Sequence, residues 1–172
     1  MCGRYTLTIK DDFFYFFGVN EDRKLLEISG DRLPGDMIPT IVQDRSLKTN
    51  KIVMMKWGYL PVWYKEGSGY KPVINARYET IGEKPYFKKS WEEHRCIIPA
   101  SGYYEWEKVS QDKKVMHTFL PSDKKPYMGF AGIYSMVVDP KTHLPTHTCA
   151  IITKSAEGEV AKIHNRMPMI VK

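Results

Sequence analysis

The sequence predicts an α+β fold: strand-rich, with a mostly antiparallel, curved or barrel-like sheet and short peripheral helices. Three observations point there. Runs with the apolar pattern of strands outnumber helical stretches. The helical stretches do not alternate regularly with them, as a doubly wound parallel sheet would require. No repeat, low-complexity tract or long linker divides the 172 residues, which predicts one domain with room for a sizeable core.

Along the chain, residues 2–8 read as a short strand, because Tyr5, Leu7 and Ile9 alternate with Arg4, Thr6 and Thr8. Asp11 or Asp12 is placed to cap a short aromatic helix carrying Phe13, Phe14, Phe16 and Phe17, and Gly18 is its stop. Residues 52–59 and 96–98 read as buried strands. Residues 103–109, 114–120, 128–138 and 148–153 complete the strand-rich centre. Residues 85–94 read as a helix, with Pro85 early and Phe87 and Trp91 on one face. Residues 155–163 read as another short helix, capped by Ser155 with Glu157 and Glu159 in its first turns.

Composition narrows the function classes only slightly. Hydrophobic residues at 42% and charged residues at 27% fit a soluble globular chain. Lys plus Arg exceed Asp plus Glu by 26 to 20, and the resulting +6 charge favours polyanionic partners. The aromatic share of 13% supplies both core and possible base-stacking surface. Three cysteines with no CxxC and no Cys/His cluster argue against a disulfide framework or a zinc site, and for a reducing, cytoplasmic setting. The opening residues lack a basic start followed by an apolar run, so they read as no signal peptide. No apolar stretch approaches membrane-spanning length, so no membrane association is expected. Gly3 stands one place too late for myristoylation. Neither GxGxxG nor GxxxxGK occurs, Gly67-Ser68-Gly69 is no phosphate loop, and no cofactor or metal is expected.

Four local patterns carry chemistry. Cys2 follows the initiator Met1, whose removal would leave an α-amine beside the thiol. Such an amine, with a pKa of roughly 7.7–8.0, is partly neutral at neutral pH and condenses with aldehydes. The neighbouring thiol can then close a five-membered thiazolidine ring, favoured by proximity. By position alone, a small buried side chain is the plainer account of Cys2. Residues 73–80 place Asn75, Arg77 and Glu79 two apart, on one side of a continuing strand. Asn75 can hold a carbonyl or alkoxide oxygen and Arg77 a phosphate, although a solvated Arg–Glu pair explains the pattern as well. In residues 95–106, Glu105 shares a face with Tyr103, while Tyr104 and Trp106 share the other. A carboxyl in aromatic surroundings is suited to proton transfer, although an edge-strand Glu fits equally. His164, between a short helix and Pro168, is placed for acid–base work in a loop, although a lone His is more often structural.

Together, Met1-Cys2-Gly3-Arg4-Tyr5, Trp57-Gly58, 75–80, Arg95 to Pro99, Gly102 to Trp106 and His164 to Pro168 occur in the order of the SOS response-associated peptidase (SRAP) family. The chain closely resembles that family from residue 2 to about 170. The resemblance implies that Cys2 captures abasic sites in single-stranded DNA, and at junctions with double-stranded DNA, as a thiazolidine DNA–protein crosslink. It implies that Asn75 orients the Cys2 amine and the sugar oxygen. Glu105 would manage protons during crosslinking and reversal, and His164 would promote opening of the abasic sugar. Arg77 would bind phosphate, Arg4 and Arg166 would flank the lesion, and Trp106 would support an unstacked base. It further implies a monomer, cytoplasmic or nucleoid-associated, with lyase chemistry and a peptidase activity limited to exposing Cys2.

Two departures are visible. Members commonly continue beyond the His-Asn-Arg-Met-Pro segment, whereas this SRAP-like domain, 1–172, is expected to lack that C-terminal extension. Lys56 stands before Trp57-Gly58 where Arg is frequent, keeping charge but losing the fork. Two other function classes fit the same residues. One is a cysteine peptidase using Cys2. The other is a non-catalytic nucleic-acid-binding module.

Overall fold

The computed structural model describes residues 2–171 apart from Glu21, Arg45, Asp123 and Pro140, and omits the side chain of Arg23. Met1, whose removal the sequence reading invokes, lies outside the described residues. The longest apolar runs become the longest strands. β9 (Met128–Val138) and β10 (Pro145–Ser155) form an antiparallel hairpin, in register from Val138 opposite Pro145 to Gly132 opposite Ile151. β6 (Arg95–Ala100) lies antiparallel on the other edge of β9. β3 (Met37–Asp44) pairs with β4 (Thr49–Trp57) along its whole length and meets β6 at Ile41 opposite Ile97. β4 then joins β10 at Lys56 opposite Thr148 and Trp57 opposite Cys149. The order β10-β4-β3-β6-β9 returns to β10, closing a five-stranded barrel. An odd ring cannot alternate direction throughout, and the β4–β10 pair is the parallel exception.

A second sheet leans on this barrel. It runs β2 (Asp31–Arg32), β1 (Tyr5–Thr6), β7 (Gly102–Lys108), β8 (Lys114–Phe119). β6 and β7 are separated by Ser101 alone, so one length of chain passes from barrel to sheet. The main core lies between them: Tyr5, Leu7 and Tyr103 pack with Ile38, Trp57, Ile98 and Phe130. A smaller core covers the outside of the barrel, where Tyr59, Ile81 and Phe87 lie on Ile133, Ala150 and Ile152. Two short strands extend the flanks of β10. β5 (Asn75–Arg77) runs parallel to residues Ile151, Ile152 and Thr153, and β11 (Arg166–Pro168) runs antiparallel to Thr153, Lys154 and Ser155. β12 (Ile170–Val171) closes on the start of β9. Among the described residues no helix is long and apolar enough to cross a membrane.

The predicted class is observed, with local differences. Strand 128–138 has its predicted bounds. The strand expected over 2–8 is assigned only at Tyr5–Thr6, yet Tyr5, Leu7 and Ile9 are buried as the alternation requires. α1 (Asp12–Phe17) ends at Gly18, whose φ of +61° is the left-handed stop expected of glycine. Its N-terminus is not capped by a side chain; Asp12 Oδ1 instead accepts from the Tyr127 hydroxyl at 3.1 Å. α2 (Lys88–Glu93) and α3 (Gly158–Ala161) are shorter than predicted, and Ser155 belongs to β10 instead of capping α3. β3 was not foreseen. Pro39 sits in its first half, a residue that normally argues against an interior strand. It is accommodated because β3 pairs with β6 only further along, at Ile41.

Candidate active site

Cys2 is fully buried in the main core, in the extended segment that leads into β1. Its carbonyl oxygen accepts a hydrogen bond from Asn75 Nδ2 at 3.0 Å. Asn75 is the first residue of β5, and the Ile151 N–H to Ile74 carbonyl bond, 3.0 Å, fixes the approach of that strand to β10. Trp57 Nε1 also donates to the Ile74 carbonyl, at 3.0 Å. Asn75 therefore reaches Cys2 from a backbone held on two sides. Its Oδ1 is buried with no hydrogen-bond partner among the described residues.

Glu105 lies in the middle of β7, opposite His117 of β8, and is 1% exposed. Tyr103 shares its buried face, while Tyr104 and Trp106 are half-buried on the other, as the period-two pattern predicts. Burial, and then the nearby charge of Glu105, push the Cys2 thiol well above its ordinary value; the Arg4 backbone N–H only partly offsets them. The sulfur is thus a thiol, not a thiolate, in the resting protein.

The residues directly after Cys2 are clamped. Arg4 donates to Asp31 Oδ2 through Nε at 2.8 Å and through a second guanidinium nitrogen. Its guanidinium carbon sits 5.1 Å from the centre of the Tyr104 ring, and the Tyr104 hydroxyl donates to Asp31 Oδ1 at 2.9 Å. The Arg4 hydrogen bonds hold the Asp31 carboxyl below its usual range. Nothing local in the sequence announces Asp31, which lies 27 positions from Arg4.

The other predicted residues collect around the far end of β10. Arg166 opens β11 and forks onto Glu79, at 2.8 and 2.9 Å, while also donating to the Thr153 carbonyl at 2.6 Å. That bidentate pair holds Glu79 down to about 2. His164 follows α3, and its Nδ1 meets the Arg166 main chain. It accepts the N–H at 3.0 Å or, in the other tautomer, donates to the carbonyl at 3.2 Å. Arg77 is exposed at the end of β5, directly beside Thr153, with no ion pair among the described residues. The structure thus joins Cys2, Asn75 and Glu105 by contact or charge. It gathers Arg77, His164 and Arg166 on the two flanks of β10, and leaves Arg4 and Trp106 on the second sheet. Among the described residues no three His, Cys, Asp or Glu side chains converge as a metal site requires.

The chain is similar to known proteins in sequence and in fold. The family model described as SOS response associated peptidase (SRAP) matches residues 1–172. The abasic site processing protein YoqW of Bacillus subtilis is 39% identical over 176 residues, covering 99% of this chain and 76% of the relative. The abasic site processing protein YedK of Escherichia coli is 32% identical over 115 residues, covering 67% and 48%. Among solved structures, a protein from Bacteroides thetaiotaomicron aligns with a TM-score of 0.81 at 23% identity, over 99% of this chain and 77% of that one. At that identity the likeness concerns the fold alone.

Proposed function

Because the chain belongs to the SOS response-associated peptidase family, we propose that it processes abasic sites in DNA by capturing the lesion's open-chain aldehyde on Cys2. The observation that carries this reading is a buried Cys2 whose main chain is gripped by Asn75 and whose sulfur lies within the field of Glu105. With Met1 removed, the Cys2 amine attacks the aldehyde carbon, a proton delivered from the Glu105 carboxyl joins the departing hydroxyl, and water leaves, giving an iminium and a Glu105 carboxylate. The sulfur then attacks the iminium carbon, the C=N electron pair moves to nitrogen, and the thiol proton passes to the Glu105 carboxylate. A five-membered thiazolidine results. The raised thiol pKa sets the order of events: the sulfur stays protonated until an electrophilic carbon stands beside it, so the amine acts first.

Asn75 supports both steps, since Nδ2 holds the Cys2 carbonyl while Oδ1 remains open to the amine or to a sugar oxygen. His164 assists opening of the sugar ring. Arg77 is placed on a phosphate, with Arg4 and Arg166 flanking the lesion and Trp106 under an unstacked base. The substrates in this reading are single-stranded DNA and its junctions with duplex, bound by a monomer in the cytoplasm. Any peptidase step is limited to the Met1–Cys2 bond, whose cleavage exposes the amine. The test is intact mass measurement of processed protein mixed with abasic single-stranded oligonucleotide. A heat-stable adduct is expected from the wild type and none from Cys2→Ala. An adduct that persists in Cys2→Ala would overturn the assignment. Equal retention of damaged and undamaged strands without covalent product would leave a binding module instead.

A further inference from the structure

Tyr103 shares the main core with Cys2 and the buried face of β7 with Glu105, and has no task in the proposed mechanism. It is 1% exposed, on the same face of β7 as Glu105, and directly opposite Tyr5, the third residue after Cys2. Its ring is fixed, stacked on Phe119 at 5.1 Å between centroids and edge-on to Phe130 at 5.8 Å. Its hydroxyl nevertheless bonds to none of the described residues. A buried hydroxyl without a partner destabilises a fold, and phenylalanine would fill the same space without that penalty. Retaining the hydroxyl makes sense when its partner forms during the reaction.

Two groups whose charge the phenol feels can be anionic, the Glu105 carboxylate and a Cys2 thiolate. The phenol is itself held protonated, by burial first and then by the charges of Cys2 and Glu105, so it can serve as a donor throughout. As the thiol proton passes to Glu105, negative charge moves from that carboxylate to sulfur. The donor is then needed at the sulfur. We propose that the Tyr103 hydroxyl donates a hydrogen bond to the Cys2 sulfur as the thiazolidine closes, helping the second bond-forming step and not the first. This rests on Cys2 being the aldehyde trap. The bond changes are those already given: sulfur to carbon forms, the C=N pair goes to nitrogen, and the proton ends on Glu105.

The experiment compares wild type, Tyr103→Phe and Tyr5→Phe, all with Met1 removed, on abasic single-stranded oligonucleotide. Samples are quenched in borohydride at intervals and weighed intact. Borohydride converts the imine to an amine adduct two hydrogens heavier than the thiazolidine, so both steps are read from one spectrum. Tyr103→Phe is expected to form imine at the wild-type rate but to close it about tenfold more slowly or worse. Its closure profile should move about one unit towards higher pH, because losing a donor to the thiolate makes the thiol harder to deprotonate. Its Tm should be unchanged or higher, which a purely structural role would not combine with slower closure. Tyr5 is equally buried with a hydroxyl lacking a partner among the described residues, so Tyr5→Phe controls for loss of a core hydroxyl and should close normally. Closure at the wild-type rate in Tyr103→Phe, or equal slowing in both variants, overturns the proposal. Loss of imine formation in Tyr103→Phe overturns the assignment to sulfur. Absence of any adduct in the wild type, reduced imine or thiazolidine, would instead remove the aldehyde-capture reading beneath it.

Discussion

Asn75→Asp tests the grip on Cys2 most directly. The change is nearly isosteric, so β5 should keep its parallel pairing with Ile151. The Nδ2 donor is lost, and a carboxylate oxygen faces the Cys2 carbonyl across 3.0 Å. One hydrogen bond is worth about 1 kcal/mol, and a buried acceptor left facing another acceptor adds about 1–3 kcal/mol. A total of about 2–4 kcal/mol is a large fraction of a stability of about 5–15 kcal/mol. The structure offers a cheaper escape than unfolding. Cys2 and Gly3 can leave the side of Asn75, while the Arg4–Asp31–Tyr104 clamp keeps β1 in place. The penalty should therefore appear in the chemistry, because amine and sulfur must both be held for their bonds to form. A loss of about 2 kcal/mol corresponds to roughly 30-fold slower crosslinking. Most of the penalty is relieved locally, so Tm should fall by only a few degrees, at about 2–4 °C per kcal/mol. The assay is a quenched time course on abasic single-stranded DNA, with Tm measured on the same preparation. A rate within about threefold of wild type would refute the positioning argument. So would a fall in Tm large enough to explain the lost rate by unfolding.

Three further outcomes follow from the same geometry. In Gly132→Ala the new Cβ would lie 2.9 Å from Cys96 Sγ and 3.1 Å from the Ala150 carbonyl oxygen; the second contact is backbone and cannot swing away. Overpacking of this kind costs about 1–3 kcal/mol, read as a lower Tm. Glu79→Gln should lower Tm at neutral pH, but the difference from wild type should shrink in acid. The folded value of about 2 lies below the ordinary value of about 4.3, so the pair's contribution is complete above about pH 5 and lost as pH falls through about 2. Arg77→Ala should leave Tm unchanged and reduce the salt dependence of DNA binding by about one phosphate contact, since Arg77 is exposed and holds no ion pair among the described residues.

What the sequence revealed depends on how far each interaction reaches along the chain. The period-two face of β7 was legible, because Tyr103 and Glu105 are neighbours on one strand and need only the pleat to be buried together. The spacing of Asn75, Arg77 and Glu79 misled for the same reason in reverse. It presumes a strand continuing past Arg77, whereas the chain turns there, with the Thr80 N–H bonding back to the Arg77 carbonyl at 3.2 Å. Glu79 consequently leaves the line of Arg77 and pairs with Arg166, 87 positions away. Asp31 lies 27 positions from Arg4 and Thr153 lies 13 from Arg166, so composition and periodicity give no sign of either pairing. The shortened helices have a different origin. Their expected starts are Pro85 and Ser155, yet the helices begin at Lys88 and Gly158, Ser155 ends β10, and so few turns gain little from propensity alone.

The position of the candidate site follows from where strands exchange partners. Along one flank of β10, β4 ends its pairing at Cys149 and β5 begins at Ile151 with Asn75. Along the other, β9 ends at Ile151 and β11 begins at Thr153, bringing in Arg166 and the His164 loop. A third change occurs at Ser101, where the chain leaves the barrel and carries Glu105 into the sheet that receives Cys2. A closed barrel has no free edges, so new side chains can be introduced beside β10 only where one neighbour stops and another starts. This accounts for motifs that are individually weak and scattered from residue 2 to 168. Most of them begin or end a strand, and in the proposed reading the chemistry exists only once the barrel has closed. In the mechanism proposed above, burial of Cys2 would serve the chemistry as well as the core, because the desolvation that packs its side chain also holds its sulfur protonated.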